Sequence, residues 1–165
     1  NNNIPNFGVD GTIVAVVPPG IGILVLACDD NEFHDNIIRG NDSIGLLLFT
    51  YLPGLFGSFS DPNFDTYSER NWVHDNTFEN NGTDPSGSLH AVVSFPEPSP
   101  DMTLDGCFDA DLHDDRTLDN CFSDNGDARF FDFDFCGGGT AQSDDIAPFT
   151  CEGTALPPRD FPDVP

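Results

Sequence analysis

Lysine is absent from this 165-residue chain, and its five basic residues are all arginine. The chain has 29 acidic residues, so the formal net charge is −24 at neutral pH. A field of that sign repels the phosphates of DNA and RNA and the anionic surface of a membrane. The composition therefore excludes nucleic acid as a partner. It also disfavours an acidic polysaccharide as a substrate, because a clamp for a polyanionic sugar needs several cations.

Long hydrophobic runs and closely paired cysteines are also missing. The apolar run at residues 21–27 has the length of a strand, whereas a helix that spans a bilayer needs roughly 20 apolar residues. No two cysteines stand in a C-x-x-C arrangement, which excludes zinc ribbons, thioredoxin-like motifs and haem attachment. Serine-hydrolase, zinc-protease and phosphate-loop signatures are absent as well. The sequence thus predicts no membrane insertion and contains no catalytic signature.

What the chain does contain is one phrase written three times, Asp-Asn-x-apolar-x-x-Asn. Its copies begin at Asp35, Asp75 and Asp119, which are 40 (75 − 35) and 44 (119 − 75) residues apart. A phrase that recurs at such intervals predicts a repeat architecture, in which equivalent residues stack at an inter-strand spacing of roughly 4.8 Å.

The phrase predicts two stacks of side chains. One is an inward apolar stack of Ile38, Phe78 and Phe122. The other is an asparagine ladder at a turn, formed by Asn36, Asn76 and Asn120. Asparagine suits such a turn because it tolerates left-handed backbone and its amide can bond the amides above and below.

A second repeat is interleaved with the first. Residues 22–26 match residues 45–49, 23 positions later (45 − 22), and residues 87–93 are a looser third copy. A 23-residue step fits one coil of a parallel β-solenoid. Two long loop insertions are predicted, at residues 50–70 and 96–116. Both follow equivalent strands, so we expect them to project from the same side, where insertions often form a binding wall.

Two further segments give local predictions. Residues 12–17 are apolar and are interpreted, like residues 21–27, as a strand buried on both faces. Residues 131–135 alternate phenylalanine with aspartate, which predicts a strand with one buried face and one wet face. No segment shows a convincing helical period.

The phrases DNEFHDNIIRGNDSIGLLL and NWVHDNTFENNG resemble the repeats of right-handed parallel β-helix proteins of the pectate-lyase-like superfamily. More narrowly, residues 1–30 followed by HDNTF resemble a group of secreted bacterial parallel β-helix repeat proteins without a defined function. The resemblance covers roughly residues 1–135. It implies an all-β fold, a right-handed parallel β-helix or solenoid with two long loop insertions. The superfamily includes lyases, hydrolases, epimerases, adhesins and accessory proteins, so the fold alone selects no activity.

Histidine also recurs in the repeat. His34 and His74 precede the first two phrases, so the register places them in adjacent coils, while Leu118 precedes the third. A histidine pair can bind a transition metal, and a His-Asp pair can do acid–base work. The alternative is that the two histidines have a solvated or structural role and recur only because outward-facing strand residues repeat with each coil.

Stacked carboxylates give the only cofactor prediction, calcium. The repeat aligns Asp35, Asp75 and Asp119, and the second loop contains Asp109 and Asp111 in Asp-x-Asp spacing. Carboxylates about 5 Å apart repel unless solvent or a cation intervenes, and calcium accepts several oxygen ligands in flexible geometry. The alternatives are that these carboxylates cap local turns or lie in an exposed acidic loop.

Four of the five cysteines lie late in the chain, at positions 107, 121, 136 and 151. They predict two disulfides, which suit an exported protein. Of the three pairings that four cysteines allow, Cys107–Cys121 with Cys136–Cys151 is preferred because each closes a short loop. Cys28 stands apart beside an apolar strand and is predicted to be a buried thiol.

These observations predict one β-helix domain at residues 1–154, part of a longer protein, followed by a proline-rich arm at 155–165. We expect an exported, non-enzymatic structural or binding module of a larger extracellular or periplasmic assembly. It would be secreted, periplasmic or at the cell surface, with other protein subunits or a neutral glycan as partners. The alternative is a carbohydrate-active enzyme, a glycan hydrolase, lyase or epimerase, with its cleft between loops 50–70 and 96–116.

Overall fold

The structure is a computed structural model that describes residues 2–85, 90, 93–111, 120–153 and 155. In these residues the chain is mainly β. The nine strands are β1 (Ile21–Leu26), β2 (Glu32–His34), β3 (Ile37–Arg39), β4 (Ile44–Phe49), β5 (Asn71–His74), β6 (Thr77–Glu79), β7 (Met102–Leu104), β8 (Asn120–Ser123) and β9 (Phe130–Asp132). The helices are short: α1 (Ile13–Val16), α2 (Pro53–Phe56) and a 3-10 turn at Ala147–Phe149.

The strands form three parallel sheets. The first sheet has the order β1-β4-β7-β9, the second β2-β5-β8 and the third β3-β6. Following the chain, the strands therefore visit sheets 1, 2, 3, 1, 2, 3, 1, 2 and 1 in turn. Each sheet thus collects one strand from each successive circuit of the chain.

The first two circuits have the register that the repeats predict. Leu24 pairs with Leu47, which is the 23-residue step. Ile38 pairs with Phe78, and His34 pairs with His74, which is the 40-residue step. The predicted stacking of these residues is confirmed.

The third circuit departs from the prediction. Phe122 pairs with Val73 in the second sheet and not with Phe78, so the predicted stack of Ile38, Phe78 and Phe122 is wrong in its third member. Asn120 pairs with Asn71, and Asn125 takes the position below Asn76. The reason is that asparagine recurs every five residues, once at each successive corner. The third phrase can therefore be aligned with Asn120 at the corner of Asn76 or at the preceding corner, that of Asn71, and the structure has the second alignment.

Three other predictions are corrected by the strand positions. Residues 12–17 include α1 and are not a strand. The third partner in the first sheet is β7, which pairs with β4 and lies inside the predicted 96–116 loop. The copy predicted at residues 87–93 lies mostly outside the described residues, and Val93 belongs to no strand.

The first sheet is apolar on both faces. One face packs into the main core, for example through Val25 and Leu48. The opposite face packs into a second apolar cluster that contains Leu47, Phe49 and Phe133. This agrees with the continuous apolar sequence of β1 and β4, which is typical of strands covered on both sides.

The predicted wet face at residues 131–135 is wrong. Asp132 is 1% exposed and Asp134 is 4% exposed, while Phe135 at the end of the run is 39% exposed. Asp132 pairs with Leu104, which in turn pairs with Leu48, so it continues a column whose other members face the main core. Both aspartates are held by backbone: Oδ1 of Asp132 accepts the N–H of Asp134, and Oδ2 of Asp134 accepts the N–H of Ala141.

Asparagine ladders run along the corners between the sheets. Their members are Asn31, Asn71 and Asn120; Asn36, Asn76 and Asn125; and Asn41, Asn81 and Asp101. Each asparagine that is followed by another member donates its side-chain amide to that member's side-chain oxygen, at 2.8–3.1 Å. Asn120 and Asn125, which end their ladders, donate to the carbonyl oxygens of Ser68 and Val73. The predicted ladder of Asn36, Asn76 and Asn120 is therefore correct in its first two members and wrong in the third.

Where the structure describes it, the residue before a ladder asparagine adopts the left-handed backbone conformation. Asp35, Asp75 and Asp124 have φ of 53°, 50° and 52°, and Gly40 has 64°. Aspartate, asparagine and glycine tolerate this region better than other residues do. The Asp-Asn pair in the repeated phrase is therefore a corner signal: the aspartate makes the turn and the asparagine bonds along the stack.

Two disulfides lie in the last part of the fold, as predicted, but the preferred pairing is wrong. Cys107 is bonded to Cys136 and Cys121 to Cys151. The loops interlock because the register brings partners from successive circuits together, which sequence proximity does not reveal. Cys28 is a free thiol as predicted, but it is exposed rather than buried.

Candidate functional site

The outward face of β2 and β5 carries the two repeated histidines. The rings of His34 and His74 are stacked, with centroids 5.1 Å apart and planes 10° apart. Trp72, two residues before His74 on the same face of β5, stacks against the His74 ring at 3.6 Å. The indole Nε1 donates to Oγ of Ser123 at 3.0 Å. Three planar rings are thus fixed in one stack on the surface.

Each histidine is paired with the aspartate that follows it. Nδ1 of His34 lies 2.7 Å from Oδ2 of Asp35, and Nδ1 of His74 lies 2.7 Å from Oδ2 of Asp75. The left-handed turn at each aspartate brings its carboxylate back to the preceding ring. Asp35 and Asp75 therefore act as local partners of the histidines, which is the arrangement that orients an imidazole for acid–base work or for metal binding.

His74 faces a second carboxylate, since its Nε2 lies 3.0 Å from Oε1 of Glu32. Burial, the largest single influence, lowers the pKa of His74, but the hydrogen bonds to Asp75 and Glu32 outweigh it and raise the pKa above 6.5. The imidazolium can donate to both carboxylates at once, whereas the neutral ring has only one N–H. His34 differs in exposure: 48% of its side chain is accessible, against 10% for His74.

The two long connections are in contact near the ends of β4 and β7. Asp109 donates its N–H to Oε1 of Glu69 at 2.6 Å, and Thr50 donates its N–H to Oδ2 of Asp105 at 2.6 Å. Tyr67 lies in the same region, where burial and then the charge of Asp109 raise its pKa above 10.0. At this junction a carboxylate from each connection therefore accepts a backbone N–H group of the other connection.

Asp105 is a buried acid of this junction with a strongly raised pKa. Its side chain is 4% exposed and accepts the backbone N–H groups of Thr50 and Cys107. Burial raises the pKa of Asp105 to about 6, although these two hydrogen bonds act in the opposite direction. The charge of Asp132 raises the pKa further.

Three of the predicted calcium residues, Asp35, Asp75 and Asp109, have carboxylates with protein partners. Oδ1 of Asp109 accepts the N–H of Asp111 at 2.9 Å, a local turn cap of the kind the alternative interpretation proposed. Asp35 and Asp75 bond the histidines, and Asp119 lies outside the described residues. Among residues with described positions, no three of His, Cys, Asp or Glu form a group suited to a metal ion. Calcium binding itself stays a prediction.

The sequence patterns located the histidine pair but missed Glu32 and Trp72. Both precede a repeated histidine by two residues on a strand, so they share its outward face. That period-two relation is the signal that identifies them. Asp105 carries no comparable signal, because its environment depends on a register that the sequence does not reveal.

Comparison with known proteins assigns no family, since no family model, curated protein or solved structure matches this chain. What the coordinates define is a parallel-β protein with two disulfides. The disulfides indicate an oxidising environment. No helix in the described part of the chain is long and apolar enough to cross a bilayer.

Proposed function

We propose that this chain is an exported, non-enzymatic binding module built on a right-handed parallel β-helix. The fixed stack of His34, His74 and Trp72 is the observation that carries the binding role. The cyclic order in which successive strands enter the three parallel sheets supports the β-helix. A chain that winds as a β-helix places its successive strands in the sheets in this order. Right-handed winding is supported by the strong general preference of parallel crossover connections, about 98% of which are right-handed.

The internal bonding supports a role as a rigid scaffold. The ladders bond each circuit to the next through side chains as well as backbone, for example from Asn71 to Asn120. Arg129 adds a bidentate ion pair to Asp101 at the end of the third ladder, with contacts of 2.8 and 3.1 Å. Residues held in this way keep a surface pre-organised for a ligand, which lowers the entropic cost of binding.

A neutral glycan is the partner that best fits the histidine face. The exposed ring of His34 offers a flat surface, and Asp35 and Asp75 offer carboxylate oxygens that accept hydrogen bonds from hydroxyl groups. The net charge of −24 repels acidic glycans. Other protein subunits of an extracellular or periplasmic assembly are the second partner class.

The test is a panel of neutral and acidic glycans with two readouts, retention of the glycan and release of reducing ends. The proposal predicts retention of a neutral glycan without new reducing ends. His34→Ala should weaken retention, and Ile37→Ala, an exposed change on β3, should not. Glycan retention that is unchanged by His34→Ala would contradict glycan binding at the histidine face.

A carbohydrate-active enzyme is the second candidate, and one observation favours it. Oε1 of Glu69, on one long connection, accepts the backbone N–H of Asp109 on the other, so two acidic residues are neighbours there, and paired carboxylates perform glycoside hydrolysis. Reducing-end release that is abolished by Asp109→Asn and preserved by Asp42→Asn, an acid outside this junction, would establish this candidate and overturn the non-enzymatic proposal.

A further inference from the structure

An apolar pocket of about 490 Å³ lies against the outer face of β1 and β4, outside the main core. Leu24 and Leu47 from these strands line it together with Phe49. Residues 16–18, at the end of α1, and residues 52–56, which include α2, also contribute to the lining. The predicted insertion at 50–70 therefore contributes apolar residues to the wall of this pocket.

The pocket has a buried floor and a half-exposed rim. Leu47 and Phe49 are 2% and 4% exposed, whereas Leu55 and Phe135 are 47% and 39% exposed. In the empty pocket, water contacts the exposed leucine and phenylalanine side chains of the rim. A ligand that displaces this water removes apolar surface from solvent, which favours binding.

The lining contains only aliphatic, proline, phenylalanine and glycine residues. None of these described lining residues has a side chain that donates or accepts a hydrogen bond. Small-molecule pockets typically measure about 300–1,000 Å³ and orient their ligands with a few polar groups. This pocket has the right size, but its side chains recognise hydrocarbon alone, so the polar part of any ligand must remain in water.

The charge of the protein further restricts the ligand. With 29 acidic and five basic residues, the surface repels anions, including the carboxylate of a fatty acid. We propose that the pocket binds a hydrocarbon-rich small molecule that carries no negative charge. This inference goes beyond the proposed glycan-binding role, because it concerns a different face of the protein and does not depend on the histidine stack.

The direct test is a fluorescence titration with the uncharged probe diphenylhexatriene at low ionic strength. We expect saturable binding of one probe per chain. Dodecanol should displace the probe, and dodecanoate at pH 8 should be weaker by about tenfold or more, which corresponds to about 1.4 kcal/mol. Equal displacement by dodecanoate would contradict the charge argument, and the absence of saturable binding would overturn the site.

Two matched variants locate the binding. Leu55→Asp places a charge on the rim of the pocket, and Ile37→Asp places one at a residue of the third sheet that is 69% exposed. We expect Leu55→Asp to weaken probe binding by about tenfold or more and Ile37→Asp to leave it unchanged, with both variants retaining the native circular dichroism. Equal effects of the two variants would contradict the location. Self-association of the native chain that Leu55→Asp abolishes would show that the face serves a second copy and would also overturn the proposal. Neither result bears on the glycan test.

Discussion

The side-chain amide of Asn76 donates to the side-chain oxygen of Asn125, 49 residues further along the chain, at 3.1 Å. The same amide donates to the carbonyl oxygen of Phe33, and Oδ1 of Asn76 accepts the amide of Asn36. Asn76 therefore bonds three successive circuits through one buried side chain. An amide in this position stabilises the fold only while all of its partners are in register.

Replacement of Asn76 by alanine should destabilise the protein by about 2–4 kcal/mol, because several buried backbone and side-chain groups lose their partners. Urea unfolding followed by circular dichroism measures this loss. Asn63→Ala is the matched control, since Asn63 is exposed and its bonds within the described part of the chain are to the nearby Asp61. The control should change the unfolding free energy by about 0.5 kcal/mol or less. Equal losses in both variants would contradict the structural role of the ladder.

The cysteines give a chemical prediction. The native protein should contain one reactive thiol, on Cys28, which labels without denaturant because it is exposed. Peptide mapping under non-reducing conditions should find Cys107 linked to Cys136 and Cys121 linked to Cys151. A Cys107–Cys121 peptide would refute the register of the last circuits.

Removal of one disulfide should be costly. The Cys121–Cys151 bond closes a loop with a sequence separation of 30. Replacement of both cysteines by serine should lower the unfolding free energy by roughly 3–4 kcal/mol. Cys28→Ser is the control and should be nearly neutral, because this exposed thiol has no disulfide partner. A loss as large in the control would mean that the serine substitution itself, rather than the lost cross-link, destabilises the fold.

His74 should make stability depend on pH. Its pKa is raised above 6.5 in the folded state, so its contribution to stability is fully present below pH 6.5 and is lost as the pH rises through the folded-state pKa. His74→Gln should remove this component. The difference in unfolding free energy between the native protein and the variant should therefore shrink from pH 6 towards pH 9. A difference that is constant over this range would contradict the paired carboxylates of Glu32 and Asp75.

Asp105 should contribute in the same direction at lower pH. Its pKa rises from 3.8 to about 6 on folding, so the folded state is favoured by protonation and loses stability as the pH rises from 4 to 7. The linkage amounts to about 3 kcal/mol. Asp105→Asn should remove this part of the pH dependence. The unfolding free energy of the native protein minus that of the variant should therefore fall as the pH rises from 4 to 7. Asp61→Asn, in an exposed loop, should leave the profile unchanged.

Calcium remains a separate prediction from the acidic composition. If a calcium ion binds the folded state, Tm should rise with micromolar to millimolar calcium and fall with chelator. Sodium at equal ionic strength should not reproduce the rise, because screening acts on all exposed charges alike. An equal effect of sodium would show a solvated acidic surface without a specific site.

The sequence was sufficient for the parts of the fold in which the repeat keeps its length. Asn36 and Asn41 have counterparts exactly one repeat later at Asn76 and Asn81, so the 40-residue step could be read directly. The third circuit could not, because Asn120 and Asn125 are separated by the same interval of five (125 − 120) as the corners themselves. Either asparagine satisfies the local pattern, and only packing of Phe122 under Val73 selects the register.

Other features depended on tertiary context. The β7 strand has three residues in an acidic, proline-rich segment, so it owes its strand conformation to pairing with β4 and β9. The exposure of Cys28 and the burial of Asp132 are likewise set by the turn and the column in which each lies. The same holds for the site: repetition located His34 and His74, whereas the burial of Asp105, an acidic residue of the second loop, depends on packing that the sequence does not show.

The stacking of successive circuits is the central claim, and disulfide trapping tests it most directly. Ile37 and Thr77 are register partners in the third sheet, and both are exposed. In a Cys28→Ser background, Ile37→Cys with Thr77→Cys should oxidise rapidly to an intramolecular disulfide, while Ile37→Cys with Glu79→Cys, two residues out of register, should remain reduced. Preferential oxidation of the second pair, or of neither pair, would contradict the stacked parallel arrangement.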